Sequence, residues 1–263
     1  MNKEEIKQEN RKALPKFILA MVIALIVGGA VGYLSGRLRL DTLADGIKGA
    51  GLFFGTHIAP WLMLALALIM PAICFPIYRN AKKLLGTWDG EDEDISDEID
   101  RKLSAAIWIS SASLVFSYFL IAAAYSGGFA AFDSKENTVA LFIAIVAFVI
   151  VMIEAIIIQQ RCVDTAKQTN PEKKASIYDM KFQKKWLEDC DEAEKIMVGK
   201  CAYKAYAATN TVCTVLAIVL AVCALLFGIG FLPSLLVCLV WIINVSVYCK
   251  EAMRYSKAGI KVS

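Results

Sequence analysis

The chain has 263 residues, of which 58% are hydrophobic and 20% are charged, and its formal net charge at pH 7 is +3. Its mean hydropathy is +0.56. These values lie well above the range of an ordinary soluble domain and exclude that class. They are typical of a membrane protein.

The main feature of the chain is a series of long apolar runs. A bilayer core about 30 Å thick needs about 20 apolar residues per helix. Six runs fit this requirement: Phe17–Leu34, Leu52–Ile77, Ala105–Tyr125, Thr138–Ile158, Ala207–Phe231 and Leu235–Tyr248. They predict one all-α, polytopic membrane domain over residues 1–263, with six transmembrane helices in three hairpins and the lipid bilayer as its surroundings.

The distribution of positive charge predicts the orientation of the chain. Lys and Arg are retained on the cytoplasmic side of a membrane. If the N-terminus lies inside, 24 of the 28 Lys and Arg residues fall in inner segments. We therefore predict a multi-pass protein of the plasma membrane with cytoplasmic N- and C-termini.

Small residues lie along one face of two predicted spans. Such residues let neighbouring membrane helices approach closely, and serine hydroxyls can also bond across helices. The predicted packing residues are Gly28, Gly32 and Gly36 in the first span and Ser110, Ser113 and Ser117 in the third. The glycine contact lies either within one chain or between two copies, so a homo-oligomer stays open.

Two prolines and one carboxylate are the unusual residues inside the spans. Pro71 and Pro76 predict kinks in the second span, which either shape the bundle or line a cavity as in transporters. Glu154 is the only acidic residue well inside an apolar run, and an intramembrane carboxylate is a candidate proton or cation carrier. The alternative is that Glu154 pairs with Gln159 or Arg161 at the cytoplasmic edge.

The segment 79–104 is predicted to be an acidic cytoplasmic loop. Eight acidic residues fall between Asp89 and Asp100, but an EF-hand beginning at Asp89 would need glycine where Asp94 stands. We therefore expect a solvated loop or helix start, with a cation site or a surface for a basic partner as the alternative.

The segment 159–206 is predicted to contain a mobile basic linker followed by an amphipathic helix. Ser176 and Asp179 have capping-box spacing, so this helix is expected to begin near Ile177 and run on toward the next span. One helical stripe is apolar: Phe182, Trp186, Cys190, Ala193, Met197 and Cys201. The stripe either packs on the protein's own spans, lies on the membrane surface or binds a partner protein.

Two stretches of this sequence carry a resemblance to a known family. KFQKKWLEDCDEAEK at Lys181–Lys195, followed by AYKAY at Ala202–Tyr206, resembles the signature of an uncharacterised family of multi-pass membrane proteins from low-GC Gram-positive bacteria, domain of unknown function 3169. WDGEDED at Trp88–Asp94 is a second matching patch. The resemblance implies a membrane protein and assigns no activity to any residue.

No motif in the chain predicts catalysis or a bound cofactor. There is no Walker lysine in a glycine loop, no H-E-x-x-H and no G-x-S-x-G, and His57 is the single histidine. We predict no catalytic residue, metal ligand, cofactor or nucleic-acid partner. The predicted function is a non-enzymatic regulatory or interaction module that presents cytoplasmic helices to a partner protein, and the alternative is a small-solute or ion transporter or a transporter component.

Overall fold

The computed structural model describes residues 41–126, 134–170, 172, 173, 175, 177–227 and 229–257, with isolated positions between 15 and 33. Every regular element within these residues is helical. The all-α prediction is therefore confirmed for this part of the chain. Most of the predicted span Phe17–Leu34, including Gly28 and Gly32, lies outside the described residues, as does Gly36.

Seven α-helices and one π-helical turn, Phe54–Ile58, make up the described elements. The α-helices are α1 Asp41–Phe53, α2 Ala59–Thr87, α3 Glu93–Ala124, α4 Lys135–Thr169, α5 Phe182–Glu188, α6 Glu192–Phe227 and α7 Leu232–Lys257.

Five described helical stretches are long and apolar enough to cross a membrane, and each overlaps a predicted span. They are Asp45–Thr87, Glu93–Ala124, Lys135–Thr169, Glu192–Ala224 and Leu232–Arg254. The sixth span and the arrangement in three hairpins stay predictions.

The chain divides into two compact units, and the larger one is Lys48–Lys200. In it, α2, α3 and α4 pack against one another around a buried apolar core. The outward faces of α3 and α4 are also apolar: Trp108, Val115 and Phe142 are exposed. Because large exposed apolar side chains are costly in water, these faces are suited to lipid.

Gly55 lies in the π-helical turn, where α2 approaches the end of α3. A Cβ atom at this position would lie 2.1 Å from the carbonyl oxygen of Ala123 and 2.3 Å from Oγ of Ser126. These distances are far below van der Waals contact, so only glycine permits the approach.

The predicted acidic loop is mostly helix. The helix α2 continues to Thr87, and α3 begins at Glu93, so five residues separate the two helices. Asp92 caps α3 by accepting a hydrogen bond from the backbone N–H of Ile95 at 3.2 Å. Carboxylates in a first helical turn also favour the positive end of the helix dipole. This accounts for part of the acidity of the segment.

The turn between α2 and α3 is organised by Asp89 and Trp88. One carboxylate oxygen of Asp89 accepts hydrogen bonds from the backbone N–H groups of Glu91 and Asp92, which hold the pKa of Asp89 below its ordinary value. The indole N–H of Trp88 donates to the carbonyl oxygen of Asp92 at 2.9 Å. Gly90 supplies the left-handed conformation of the turn, with φ of 92°.

The smaller unit comprises Met1–Ile47 and Cys201–Ser263. Its described part contains most of α6 and all of α7. The side-chain amide of Asn244 donates to that of Asn210 at 3.3 Å. The rings of Tyr206 and Tyr248 stack with their centroids 4.2 Å apart. Polar and aromatic pairs therefore join the two helices of this unit.

Candidate functional site

The helix α4 continues beyond its apolar span and ends at Thr169. Asn170 follows it and caps its end, because both its backbone N–H and its side-chain amide donate to the carbonyl oxygen of Ala166, at 3.0 and 3.2 Å. The backbone N–H of Lys173 then donates to the carbonyl oxygen of Asn170 at 3.1 Å. Part of the predicted mobile linker is thus ordered helix and turn.

The predicted amphipathic helix is two helices. The helix α5 covers only Phe182–Glu188, and α6 begins at Glu192. Between them, Asp191 and Glu194 form a reciprocal capping box. Oδ1 of Asp191 accepts from the backbone N–H of Glu194 at 2.7 Å, and Oε2 of Glu194 accepts from the backbone N–H of Asp191 at 3.2 Å. This capping box starts a new helix, α6, at Glu192. The single helix that the apolar periodicity predicts is therefore interrupted.

Asp179 fixes the start of α5. Its Oδ1 accepts from the backbone N–H of Lys181 at 2.8 Å, and its Oδ2 accepts from the ammonium group of Lys185. The hydrogen bond with Lys185 lowers the pKa of Asp179, and the same bond raises the pKa of Lys185. The helix therefore begins at Phe182 rather than near Ile177. Ser176, the other half of the predicted capping box, lies outside the described residues.

Lys173 joins these segments through its buried ammonium group. Its side chain is only 6% exposed and is ion-paired with Oε1 of Glu194 in the first turn of α6. The same ammonium nitrogen lies 5.1 Å from the ring centroid of Trp186 on α5. A buried charge of this kind needs a partner, and here it has a carboxylate and an aromatic face.

A cavity of about 560 Å³ lies beside this ion pair, within the larger unit. The predicted stripe residues Phe182, Trp186, Cys190 and Met197 line it. Of these, Cys190 is buried, Phe182 and Trp186 are half-buried, and Met197 is exposed. The other lining residues come from α3, α4, the segment between α4 and α5, α5 and α6: Asp100, Leu103, Ser104, Ile107, Ser111, Gln159, Val163, Ala166, Asn170, Lys173, Ile177, Gln183, Glu194 and Val198. A pocket of this size and mainly apolar lining suits a small organic ligand.

The predicted serine stripe of α3 lies at the packing interface of the larger unit. Ser110 and Ser117 are fully buried, and their hydroxyls donate to the carbonyl oxygens of Ile107 and Leu114 in the same helix. Ser113 is partly buried.

Gln159 was predicted only as a neighbour of Glu154, but the structure gives it its own role. Its side-chain amide donates to Oγ of Ser111 at 3.1 Å and to Oγ of Ser110 at 3.4 Å. This joins α3 to α4 beside the cavity.

The remaining candidate residues do not converge on the cavity. Glu154 lies on α4, and its Oε2 is buried without a hydrogen-bond partner in the described part of the chain. Pro71 and Pro76 lie inside α2, which continues through both. His57 lies in the π-helical turn, where its Nδ1 is 2.7 Å from the hydroxyl oxygen of Thr56. Among the described residues, no group of three or more His, Cys, Asp or Glu side chains is placed to hold a metal ion.

The comparisons with known proteins identify a family. A family model described as "Protein of unknown function (DUF3169)" matches residues 11–252. The chain belongs to this family. The match to DUF3169 includes every residue that lines the cavity. No curated protein and no solved structure matches the chain.

Sequence patterns missed two charged residues of the cavity, Lys173 and Asp100. Lys173 lies in a basic segment, and Asp100 lies among many other carboxylates. The charge of a segment does not show which of its residues line a cavity and which are solvated. The helix start at Asp191 and Glu194 could have been predicted from the sequence, because D-x-x-E has capping-box spacing directly before a helical pattern.

Proposed function

We propose that this protein is a non-enzymatic regulatory module of the plasma membrane, with both termini in the cytoplasm. In this proposal α5 and the start of α6 lie on the cytoplasmic side and bind a soluble partner protein. The observation that carries the proposal is the two-sided character of α5. One side of this short helix lines a cavity, and the other is exposed.

The exposed side of α5 offers a mixed apolar and charged surface. Leu187 is 41% exposed. The side chains of Lys184 and Glu188 are 75% and 61% exposed and lie 3.7 Å apart. An apolar residue flanked by charges is suited to a specific protein contact, because the charges orient the partner and the apolar side chain gains from burial. The inward stripe of Phe182, Trp186 and Cys190 then serves to seat α5 on the bundle.

The position of α5 is suited to regulation. The helix is held by the Asp179–Lys185 and Lys173–Glu194 ion pairs, and a cavity separates part of it from α3 and α4. A helix seated over a cavity has fewer packing contacts than one in a filled core, so its position is more easily changed. A change in the bundle or the cavity can therefore alter the surface that the partner contacts.

Quantitative affinity purification tests the partner. The full chain carrying an affinity tag is solubilised from native membranes in wild-type, Leu187→Ser and Val139→Ser forms. Val139 is an exposed apolar residue of α4 that lies inside a predicted span and away from α5, so it is the control for loss of an apolar side chain. We expect one soluble protein at near-equal amount with wild type and Val139→Ser and a loss of at least tenfold with Leu187→Ser. Equal recovery in all three forms contradicts the proposal.

A second candidate function is transport of a proton or small cation. It is favoured by Glu154, whose Oε2 is buried and has no hydrogen-bond partner within the described residues. Intramembrane carboxylates of this kind carry protons or cations in many transporters. Proton flux in proteoliposomes containing the Glu154→Gln variant tests this function, with exposed Glu136→Gln as control. Abolition of a wild-type flux by Glu154→Gln alone supports transport, and an unchanged flux excludes this role for Glu154.

A further inference from the structure

The described lining of the cavity beside Lys173 carries more negative than positive charge. Three of the described lining residues are charged: Asp100, Lys173 and Glu194. Lys173 is ion-paired with Glu194. Asp100 has no ion-pair partner among the described residues; of the nearby charges, that of Lys173 acts on it favourably and those of Asp97 and Glu194 act on it unfavourably. A cationic ligand would relieve this imbalance.

Aromatic rings also line the cavity. The rings of Phe182 and Trp186 on α5 both line the cavity, and their centroids are 5.6 Å apart. Trp186 already accepts one cation, because the ammonium nitrogen of Lys173 lies 5.1 Å from its ring centroid. Aromatic faces combined with carboxylates are the usual surroundings of bound organic ammonium ions.

The helices of the bundle contribute apolar side chains to the cavity: Leu103 and Ile107 of α3 and Val163 of α4. Polar side chains, among them Ser111 and Gln159, line it as well. These residues lie at the end of the bundle that the charge distribution predicts to be cytoplasmic. The lining therefore combines a carboxylate and aromatic rings with apolar side chains, which is complementary to an amphiphile with a positively charged head.

The geometry points to a binding site for a monovalent organic cation with an apolar body, such as an alkylammonium ion. The head lies between Asp100 and the aromatic rings of α5, and the apolar body lies against Leu103, Ile107 and Val163. Because α5 forms one wall, an occupied site fills space beneath this helix and restrains it. This inference goes beyond the proposed function, since binding is a property of the chain without any partner.

Equilibrium binding to the purified full chain in nanodiscs tests the site. The probe is radiolabelled octyltrimethylammonium, and binding to empty nanodiscs is subtracted. Octanoate and octyl glucoside provide anionic and neutral analogues with the same alkyl chain. We expect saturable binding of one octyltrimethylammonium per chain and no saturable binding of the two analogues. Saturable binding of octanoate would overturn the inference and assign the cavity to anions through Lys173. Equal binding of all three compounds would also overturn the inference, because it would show that the cavity binds the alkyl chain and does not distinguish the charge of the head.

Two variants locate the binding. Asp100→Asn keeps the shape of an exposed side chain and removes its charge, so folding is preserved; we expect affinity for the cation to fall about tenfold. Trp186→Leu removes the aromatic face and is expected to weaken binding about fivefold or more. Trp108→Leu, which removes an exposed tryptophan outside the cavity, is the control and leaves affinity unchanged. Unchanged affinity with Asp100→Asn, or no saturable binding of the cation to wild type, overturns the inference.

Discussion

The ammonium group of Lys173 is ion-paired with the carboxylate of Glu194, 21 residues further along the chain. This pair links the turn after α4 to the first turn of α6, and Trp186 of α5 lies against the same ammonium group. Three segments that are separate in sequence therefore depend on one buried charge. Breaking such a pair leaves an uncompensated charge, which costs about 3–5 kcal/mol when the charge stays buried.

Glu194→Gln is expected to loosen α5. The substitution removes the charge that compensates Lys173. Lys173 then moves toward water, and α5 separates more often from the helices that it packs against. Cys190 reports this opening, because it follows α5 and is only 5% exposed. Exposed Cys201, Cys238 and Cys249 are replaced by Ser. Labelling rates are measured against pH and compared per thiolate, because burial and Glu194 both raise the pKa of the Cys190 thiol. We predict that a water-soluble maleimide then labels Cys190 about 5–30 times faster in the variant, corresponding to about 1–2 kcal/mol of opening free energy.

The matched control for this prediction is Glu192→Gln. Glu192 lies in the same helical turn and pairs with Lys195 at 3.3 Å, but its side chain is 89% exposed. Exposed ion pairs contribute little to stability, so the labelling rate of Cys190 is expected to stay within about twofold of wild type. Equal acceleration by both variants would show that the Lys173 pair has no special role.

Gly55→Ala is expected to destabilise the larger unit. The added Cβ atom would lie 2.1 Å from the carbonyl oxygen of Ala123, so the π-helical turn and the end of α3 must separate. We predict a melting temperature several degrees lower in detergent, measured by circular dichroism, for a loss of about 1–3 kcal/mol. Gly86→Ala in α2 is the control, because its Cβ meets nothing within 4 Å and alanine favours helix. A melting temperature of Gly55→Ala at or above that of Gly86→Ala contradicts the packing described here.

The turn between α2 and α3 is expected to weaken in acid. The pKa of Asp89 is lowered in the folded chain by backbone N–H groups, so its stabilising effect is fully present above the ordinary aspartate pKa of about 4. The effect is lost as the pH falls through the lowered pKa. We predict that Asp89→Asn, whose side-chain oxygen stays neutral at every pH, reduces the change in melting temperature between pH 6 and pH 3. An identical change in wild type and variant would contradict this role.

Asn210 and Asn244 are expected to be energetically coupled in the smaller unit. Their side-chain amides are 3.3 Å apart between α6 and α7. Hydrogen bonds between membrane helices average about 0.6 kcal/mol in double-mutant cycles. We predict a coupling energy of this size between Asn210→Ala and Asn244→Ala, measured by unfolding in mixed detergent. Strict additivity of the two substitutions would show that the contact contributes nothing.

Apolar run length was sufficient to locate five helices, because the bilayer imposes a minimum length that composition reveals directly. Helix ends were harder to predict. The apolar steps from Phe182 through Cys190 to Met197 continue in register across the break at residues 189–191, so periodicity alone predicts one helix. The break depends on side chains that bond to backbone groups, as Asp191 and Glu194 do.

The cavity could not be predicted from sequence. Its described walls come from five segments of the chain, namely α3, α4, the segment after α4, α5 and α6, and its charged residues Asp100 and Lys173 resemble their solvated neighbours in type and spacing. The stripe of Phe182, Trp186 and Cys190 was recognised as apolar, but which surface it contacts depends on tertiary packing. The requirement for glycine at position 55 could not be read from the local sequence either. It arises because the carbonyl oxygen of Ala123, far along the chain, lies where a Cβ atom of residue 55 would be.

Site-specific photocrosslinking from the exposed side of α5 tests the proposed partner most directly. A photoreactive phenylalanine analogue is placed at Leu187, with Val139 as the control position, and native membranes are irradiated before purification of the full chain. The account predicts one soluble protein crosslinked at near-stoichiometric yield from Leu187 and none from Val139. Recovery of only lipid or the protein's own helices from Leu187 would contradict it and identify α5 as a structural element of the bundle.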